Sequence, residues 1–162
     1  MNSNIENDVV DILKRNNLTI ATAESCTGGL VAATLINVSG VSDILKESYI
    51  TYADETKHKI LGVSMETLSL YTAVSKETAE EMVRGVTKVA GTDIGISVTG
   101  IAGPDGGSED FPVGLVYIGY QILGRVRVCR YVFAGDRAQV RLSAVDTALH
   151  TLLNLLNEEG YR

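Results

Sequence analysis

Leu18-Thr19-Ile20-Ala21-Thr22-Ala23-Glu24-Ser25-Cys26-Thr27-Gly28-Gly29-Leu30-Val31-Ala32-Ala33 carries the reading of the fold. Residues 18–23 form a short apolar, Thr-rich run that fits a buried strand. Residues 24–29 break that pattern, and 30–37 resume as an Ala/Leu/Val-rich helix. A strand feeding a helix through a small-residue turn is the opening unit of an α/β sheet.

The rest of the chain repeats this alternation. Upstream, Ile5, Val9, Ile12 and Leu13 recur at helical spacing and predict a helix over 4–16. Downstream, 48–52 reads as a strand and 54–61 as a short helix ending near Gly62. Ser75 is an N-cap for a helix whose stripe is Ala79, Met82, Val83, Val86 and Ala90. Residues 94–99 form a further strand, followed by a Gly-rich loop over 100–107. Two strands, 113–123 and 126–133, meet tightly around Gly124 as a hairpin. A last helix runs from Asp136 to about Glu158, with Val140, Ala144, Ala148, Leu152 and Leu155 or Leu156 inward. The prediction is a three-layer α/β/α sandwich with a mixed, mostly parallel sheet and a C-terminal hairpin. One domain over 1–162 is expected, because there is no linker, repeat or low-complexity tract.

Composition narrows the function. A net charge of −6 with no basic cluster argues against nucleic acid as a partner, since phosphate neutralisation needs a Lys/Arg patch. No apolar run of about 18 residues occurs, so no membrane span is expected. The N-terminal stretch lacks a signal-peptide pattern, and Cys26 and Cys129 suggest no structural disulfide. A reduced cytoplasm is the expected compartment. No His/Cys/Asp set has ligand spacing, so neither metal nor cofactor is expected. A homo-oligomer is left open.

Three loops follow strands, at 24–29, 52–57 and 99–107, where ligands bind in such sheets. Ser25 at a helix N-terminus has backbone donors nearby for an oxyanion or a phosphate. Gly28 and Gly29 permit close approach of a ligand, and a plain capped helix start fits equally well. Cys26 is a second candidate nucleophile, since a helix N-terminus lowers a thiol pKa. His58 and His150 form no visible triad. A lysine could serve as base if desolvated, and Lys57 lies five residues after Tyr52, although most lysines are solvated surface charges. Loop 100–107 could cradle a phosphate or ribose through its amides, but it is not a Walker loop. Arg137 and Arg141 stand four residues apart on one helical face, where guanidinium forks suit phosphate or form a solvated surface.

Four segments in order then match a known pattern: residues 23–29; Tyr52 through Lys57 with Leu61-Gly62-Val63; Thr99 through Gly107; and Phe133-Ala134-Gly135-Asp136-Arg137 with Arg141. Over nearly its whole length, from about Ile12 to Leu156, the chain resembles the nicotinamide-nucleotide amidase family, also called the CinA C-terminal domain family. That resemblance implies hydrolysis of nicotinamide mononucleotide to nicotinic acid mononucleotide and ammonia, without metal. It implies Ser25 as nucleophile, Lys57 as base and Tyr52 as its assistant, with Thr99 opening the Gly-rich loop. Some relatives carry a larger N-terminal pyrophosphatase-like domain, and none is expected here. Two positions depart from the pattern: Asp54 where many relatives have Asn, and Phe111 where many have Lys.

The expected substrate contacts are Thr27, Gly28, Gly29, Thr99, Gly100, Gly103, Arg137 and Arg141. Amides near Thr27–Gly29 would hold the oxyanion, and phosphate would sit among loop 100–107, Arg137 or Arg141. Lys57 should then be buried near Ser25, with Asp54 turned away from it. The rival reading is a non-catalytic nucleotide-binding module, which keeps the loops and arginines but needs no neutral lysine.

Overall fold

The computed structural model describes residues 4–162. Its elements are α1 (Ile5–Arg15), β1 (Ile20–Glu24), α2 (Leu30–Ile36), β2 (Leu45–Ile50), α3 (Asp54–Leu61), α4 (Met65–Tyr71), α5 (Lys76–Ala90), β3 (Ile94–Gly100), β4 (Leu115–Ile122), β5 (Arg125–Val132) and α6 (Arg137–Glu158). The sheet order is β2-β1-β3-β4-β5. β1 pairs in parallel with β2 and β3, whereas β4 is antiparallel to both β3 and β5. Four strands therefore point one way and β4 alone runs back, as the sequence predicts for a mixed sheet ending in a hairpin. Leu123 and Gly124 both take positive φ in that hairpin turn, which matches the right-handed strand twist.

Helices cover both faces. α1, α2 and α6 bury Val9, Leu13, Val31, Leu35, Ala148 and Leu152 against Ile20, Ile96, Ile118 and Tyr120. On the other face α5 lies across the sheet, and Met82 and Val86 meet Ala21, Ala23, Leu61 and Leu68 beneath α3 and α4. Alternation along β1 divides its residues between the two cores.

Two elements depart from the sequence reading. β2 begins at Leu45 rather than 48, because this edge strand alternates half-buried and exposed residues and its first half carries Lys46 and Glu47. α4 was not anticipated. Ser64 caps it, accepting from the amides of Glu66 and Thr67, and only Thr67 and Leu68 are buried, so its periodic signal is short. Elsewhere the caps match: Ser75 accepts from Thr78 N–H, and Asp136 forms a reciprocal capping box with Gln139.

Candidate active site

The strand order creates a crevice. After β1 the chain turns to β2 on one side, then crosses back to β3 on the other, so the loops leaving β1 and β3 diverge. Ser25 N–H donates to Val98 O at 2.9 Å, and Thr51 N–H donates to Glu24 O at 2.9 Å. Ser25 therefore stands at the carboxyl edge between neighbouring strands, spaced about 4.8 Å apart. Tyr52 follows Thr51 on one side of it, and Thr99 follows Val98 on the other.

The Ser25 loop is fixed from two directions. Glu24, 1% exposed, turns its carboxylate onto the start of α2. It accepts from Gly29 N–H at 2.9 Å, Val31 N–H at 3.1 Å and Ala32 N–H at 2.9 Å, with the Thr22 hydroxyl at 3.3 Å. A carboxylate there is also favoured by the helix dipole. From α6, Arg141 donates through Nε to Cys26 O at 3.0 Å and through Nη2 to Thr27 O at 2.9 Å. Gly28 N–H donates to Ser25 O at 3.1 Å. Gly28 and Gly29 sit at φ +62° and +95°, a region closed to most side chains, so the turn requires them.

Among the described residues, the amides of Cys26 and Thr27 are the loop donors with no oxygen acceptor, and both face the Cys26 sulfur. This differs from the expectation that amides through Gly29 would be available, because Glu24 and Ser25 already satisfy Gly29 and Gly28. Glu24 is the residue the sequence reading passed over. Its signal was an acid in the last position of a buried strand, directly before a helix start. Thr27 is fully buried and its hydroxyl has no partner.

Lys57 is 1% exposed, on the inward side of α3. Its Nζ donates to Tyr52 O at 3.1 Å and to Asp54 Oδ1 at 3.4 Å. Burial was expected; the position of Asp54 was not. Asp54 opens α3 three residues before Lys57, and that spacing places both on one helical face, so the carboxylate meets the amine. Asp54 is itself about half exposed. The Tyr52 ring is 61% exposed, and its hydroxyl accepts from Arg137 Nη2 at 3.1 Å. Arg137 Nη1 donates to Gly103 O at 2.8 Å, so one exposed guanidinium joins Tyr52 to the Gly-rich loop. Thr99 is buried and donates to Ala73 O at 2.6 Å, while Gly100 ends β3 opposite Val116. Phe111 belongs to the same loop and closes a short turn with Ser108.

The Cys26 thiol is pushed up to about 11, first by burial and further by the Glu24 carboxylate, against the pull of neighbouring amides and Arg141. That is opposite to the activation a thiol nucleophile requires. His58 faces Val63 O at 2.8 Å, and His150 lies exposed beside Asp146 on α6, so neither joins Ser25 in a triad. Cys26 and Cys129 are both free. Among the described residues no group of three His, Cys, Asp or Glu could hold a metal ion, and no helix is long and apolar enough to cross a membrane.

The model of the CinA C-terminal domain matches residues 2–156. A CinA-like protein of Kosmotoga olearia is 53% identical over 145 residues, covering 90% of this chain and 35% of its own. The chain thus spans about a third of the length of the curated relatives it matches. Two crystal structures overlie nearly all of it. Competence damage-inducible protein A of Klebsiella pneumoniae gives a TM-score of 0.92 at 37% identity, over 94% of this chain and 95% of that one. A competence/damage inducible protein of Agrobacterium tumefaciens gives 0.90 at 37% identity, over 93% and 94%.

Proposed function

We propose, for a chain that belongs to the CinA C-terminal domain family, that it is a serine amidase acting on the carboxamide of nicotinamide mononucleotide. The observation that carries this reading is the buried Lys57 amine at the Tyr52 carbonyl, on the strand end next to Ser25. Most lysines keep their ammonium in water. One held inside at the carboxyl edge of a sheet, beside a serine in a strand–turn–helix, is suited to proton transfer.

In this reading Lys57 takes the proton from the Ser25 hydroxyl, and Oγ attacks the carboxamide carbon. The carbonyl π bond opens to an oxyanion, which the amides of Cys26 and Thr27 receive. Collapse breaks the C–N bond. The Lys57 ammonium gives its proton to the leaving nitrogen, and ammonia departs. Water, deprotonated by Lys57, then cleaves the acyl ester and restores Ser25. The Gly-rich loop and Arg137 face the phosphate, while Tyr52 keeps Arg137 at the mouth.

The test is ammonia release from nicotinamide mononucleotide. The wild-type chain releases ammonia, and Ser25→Ala, with unchanged circular dichroism, releases none. Binding of the mononucleotide without ammonia release by the wild type would overturn the amidase reading in favour of a nucleotide-binding module.

A further inference from the structure

Two arginines near the mouth of the crevice are chemically alike but differently engaged. Arg137 is exposed and touches Tyr52 and Gly103. Arg141 reaches from α6 to two consecutive carbonyls of the loop that carries Ser25. We propose that Arg141 is a positioning residue: by holding the Cys26 and Thr27 carbonyls it aims the Cys26 and Thr27 N–H groups at the developing oxyanion. This inference rests on the amidase reading of Ser25.

The derivation follows from peptide planarity. In a trans peptide the C=O and the next residue's N–H point in opposite directions. The Cys26 carbonyl is drawn to Arg141 Nε, so the Thr27 N–H points away from α6. The Thr27 carbonyl is drawn to Nη2, which orients the following Gly28 N–H, and that group donates back to Ser25 O. The Ser25 carbonyl is thereby occupied, and the Cys26 N–H must point the opposite way. One guanidinium therefore holds two successive carbonyls, with Leu30 N–H sharing the second and Gly28 N–H bracing the Ser25 carbonyl before them, and the peptides at Cys26 and Thr27 present the donors that have no oxygen acceptor. Glu24 completes the arrangement by taking the amides of Gly29, Val31 and Ala32, which would otherwise compete for an anion. The planar fork of arginine suits two adjacent carbonyls, and a lysine ammonium cannot reproduce that geometry.

The experiment compares Arg141→Ala and Arg141→Lys with Arg137→Ala, using ammonia release from nicotinamide mononucleotide and from its unphosphorylated riboside. Thermal melts confirm folding, and the 1H–15N amide signals of Cys26 and Thr27 are followed in parallel. Loss of an oriented donor lowers kcat on both substrates by about 100-fold, with KM little changed. Arg141→Lys stays impaired, free guanidinium partly restores Arg141→Ala, and the two amide signals shift. Arg137→Ala instead raises KM for the phosphorylated substrate alone. A normal kcat in Arg141→Lys would overturn the proposal. So would a loss confined to KM for the mononucleotide, or unmoved Cys26 and Thr27 signals. If the wild type releases no ammonia, the amidase reading fails and takes the oxyanion assignment with it. The amide signals then still decide whether Arg141 sets these planes.

Discussion

Lys57 shows how far one side chain depends on its surroundings. Its amine has two acceptors, the Tyr52 carbonyl and the Asp54 carboxylate, and almost no access to water. A guanidinium placed there stays charged throughout the working pH range. Lys57→Arg is therefore expected to release ammonia at a rate close to that of Ser25→Ala, and near-normal turnover would remove lysine from the mechanism. Lys57→Met, of similar volume and uncharged, should remain folded and equally inactive. Cys26 makes the converse case. Its thiol stays protonated to about pH 11, so Cys26→Ala should retain turnover. Iodoacetamide at pH 8 should label Cys129 before Cys26 in the native chain. The sign of the linkage is plain, because a thiol with a raised pKa stabilises the fold below its ordinary value near 9. That contribution fades as pH climbs from about 9 to about 11. The Ser25 loop was legible as a tight turn because serine, threonine and two glycines stand between a strand and a helix. The inward Asp54 was also implicit in the sequence, as an i, i+3 spacing, but spacing does not say which way a first-turn carboxylate faces.

Elements place these residues more tightly than periodicity suggests. α3 carries Lys57, and its last carbonyl, Leu61 O, rests on α5 at Gly85. A Cβ at Gly85 would lie 2.0 Å from that oxygen, and backbone cannot yield as a flexible side chain would. Read as sequence, a glycine inside the α5 stripe only weakens a helix. In the fold it lets α3 lie close enough for Lys57 to reach the strand edge. Gly85→Ala should therefore destabilise the chain by about 1–3 kcal/mol in urea unfolding, despite better helix propensity. It should also lower turnover at temperatures where the protein is still folded. A gain in stability would mean that α3 can move freely. α6, β3, the hairpin and the Ser75 cap were readable because each has a long period or a specific capping residue. α4 was not, since seven residues with two buried positions give periodicity little to act on.

Across the whole molecule the two ends of the sheet have different work. The carboxyl edge of β1, β2 and β3 gathers Ser25, Lys57, Tyr52 and the Gly-rich loop. At the far end, the start of β5 pairs with the end of α6 through Arg125–Glu159 and through Arg127–Glu158 at 3.4 Å. The side chains of Arg127 and Glu158 are both largely exposed, so the double change Arg127→Gln with Glu158→Gln should shift stability by less than about 1 kcal/mol and leave turnover unaltered. A larger loss would show the hairpin held by these charges rather than by its buried face. The three-layer arrangement could be anticipated because strands and helices alternate. The pairing of arginines with loop carbonyls and with the far helix end could not, since contacts 31 to 115 residues apart leave no local pattern.

α6 joins those two ends as one rod of about 33 Å, from 22 residues at 1.5 Å each. Its first turns grip the loop behind Ser25, while its last turn buries Leu155 and Leu156 and turns Glu158 outward. A fluorophore or surface linker fixed near Glu158 would thus ride on the very helix that braces the Ser25 loop, without touching any hydrogen bond at the crevice. The distal tip is a natural handle for immobilising or reporting on this protein.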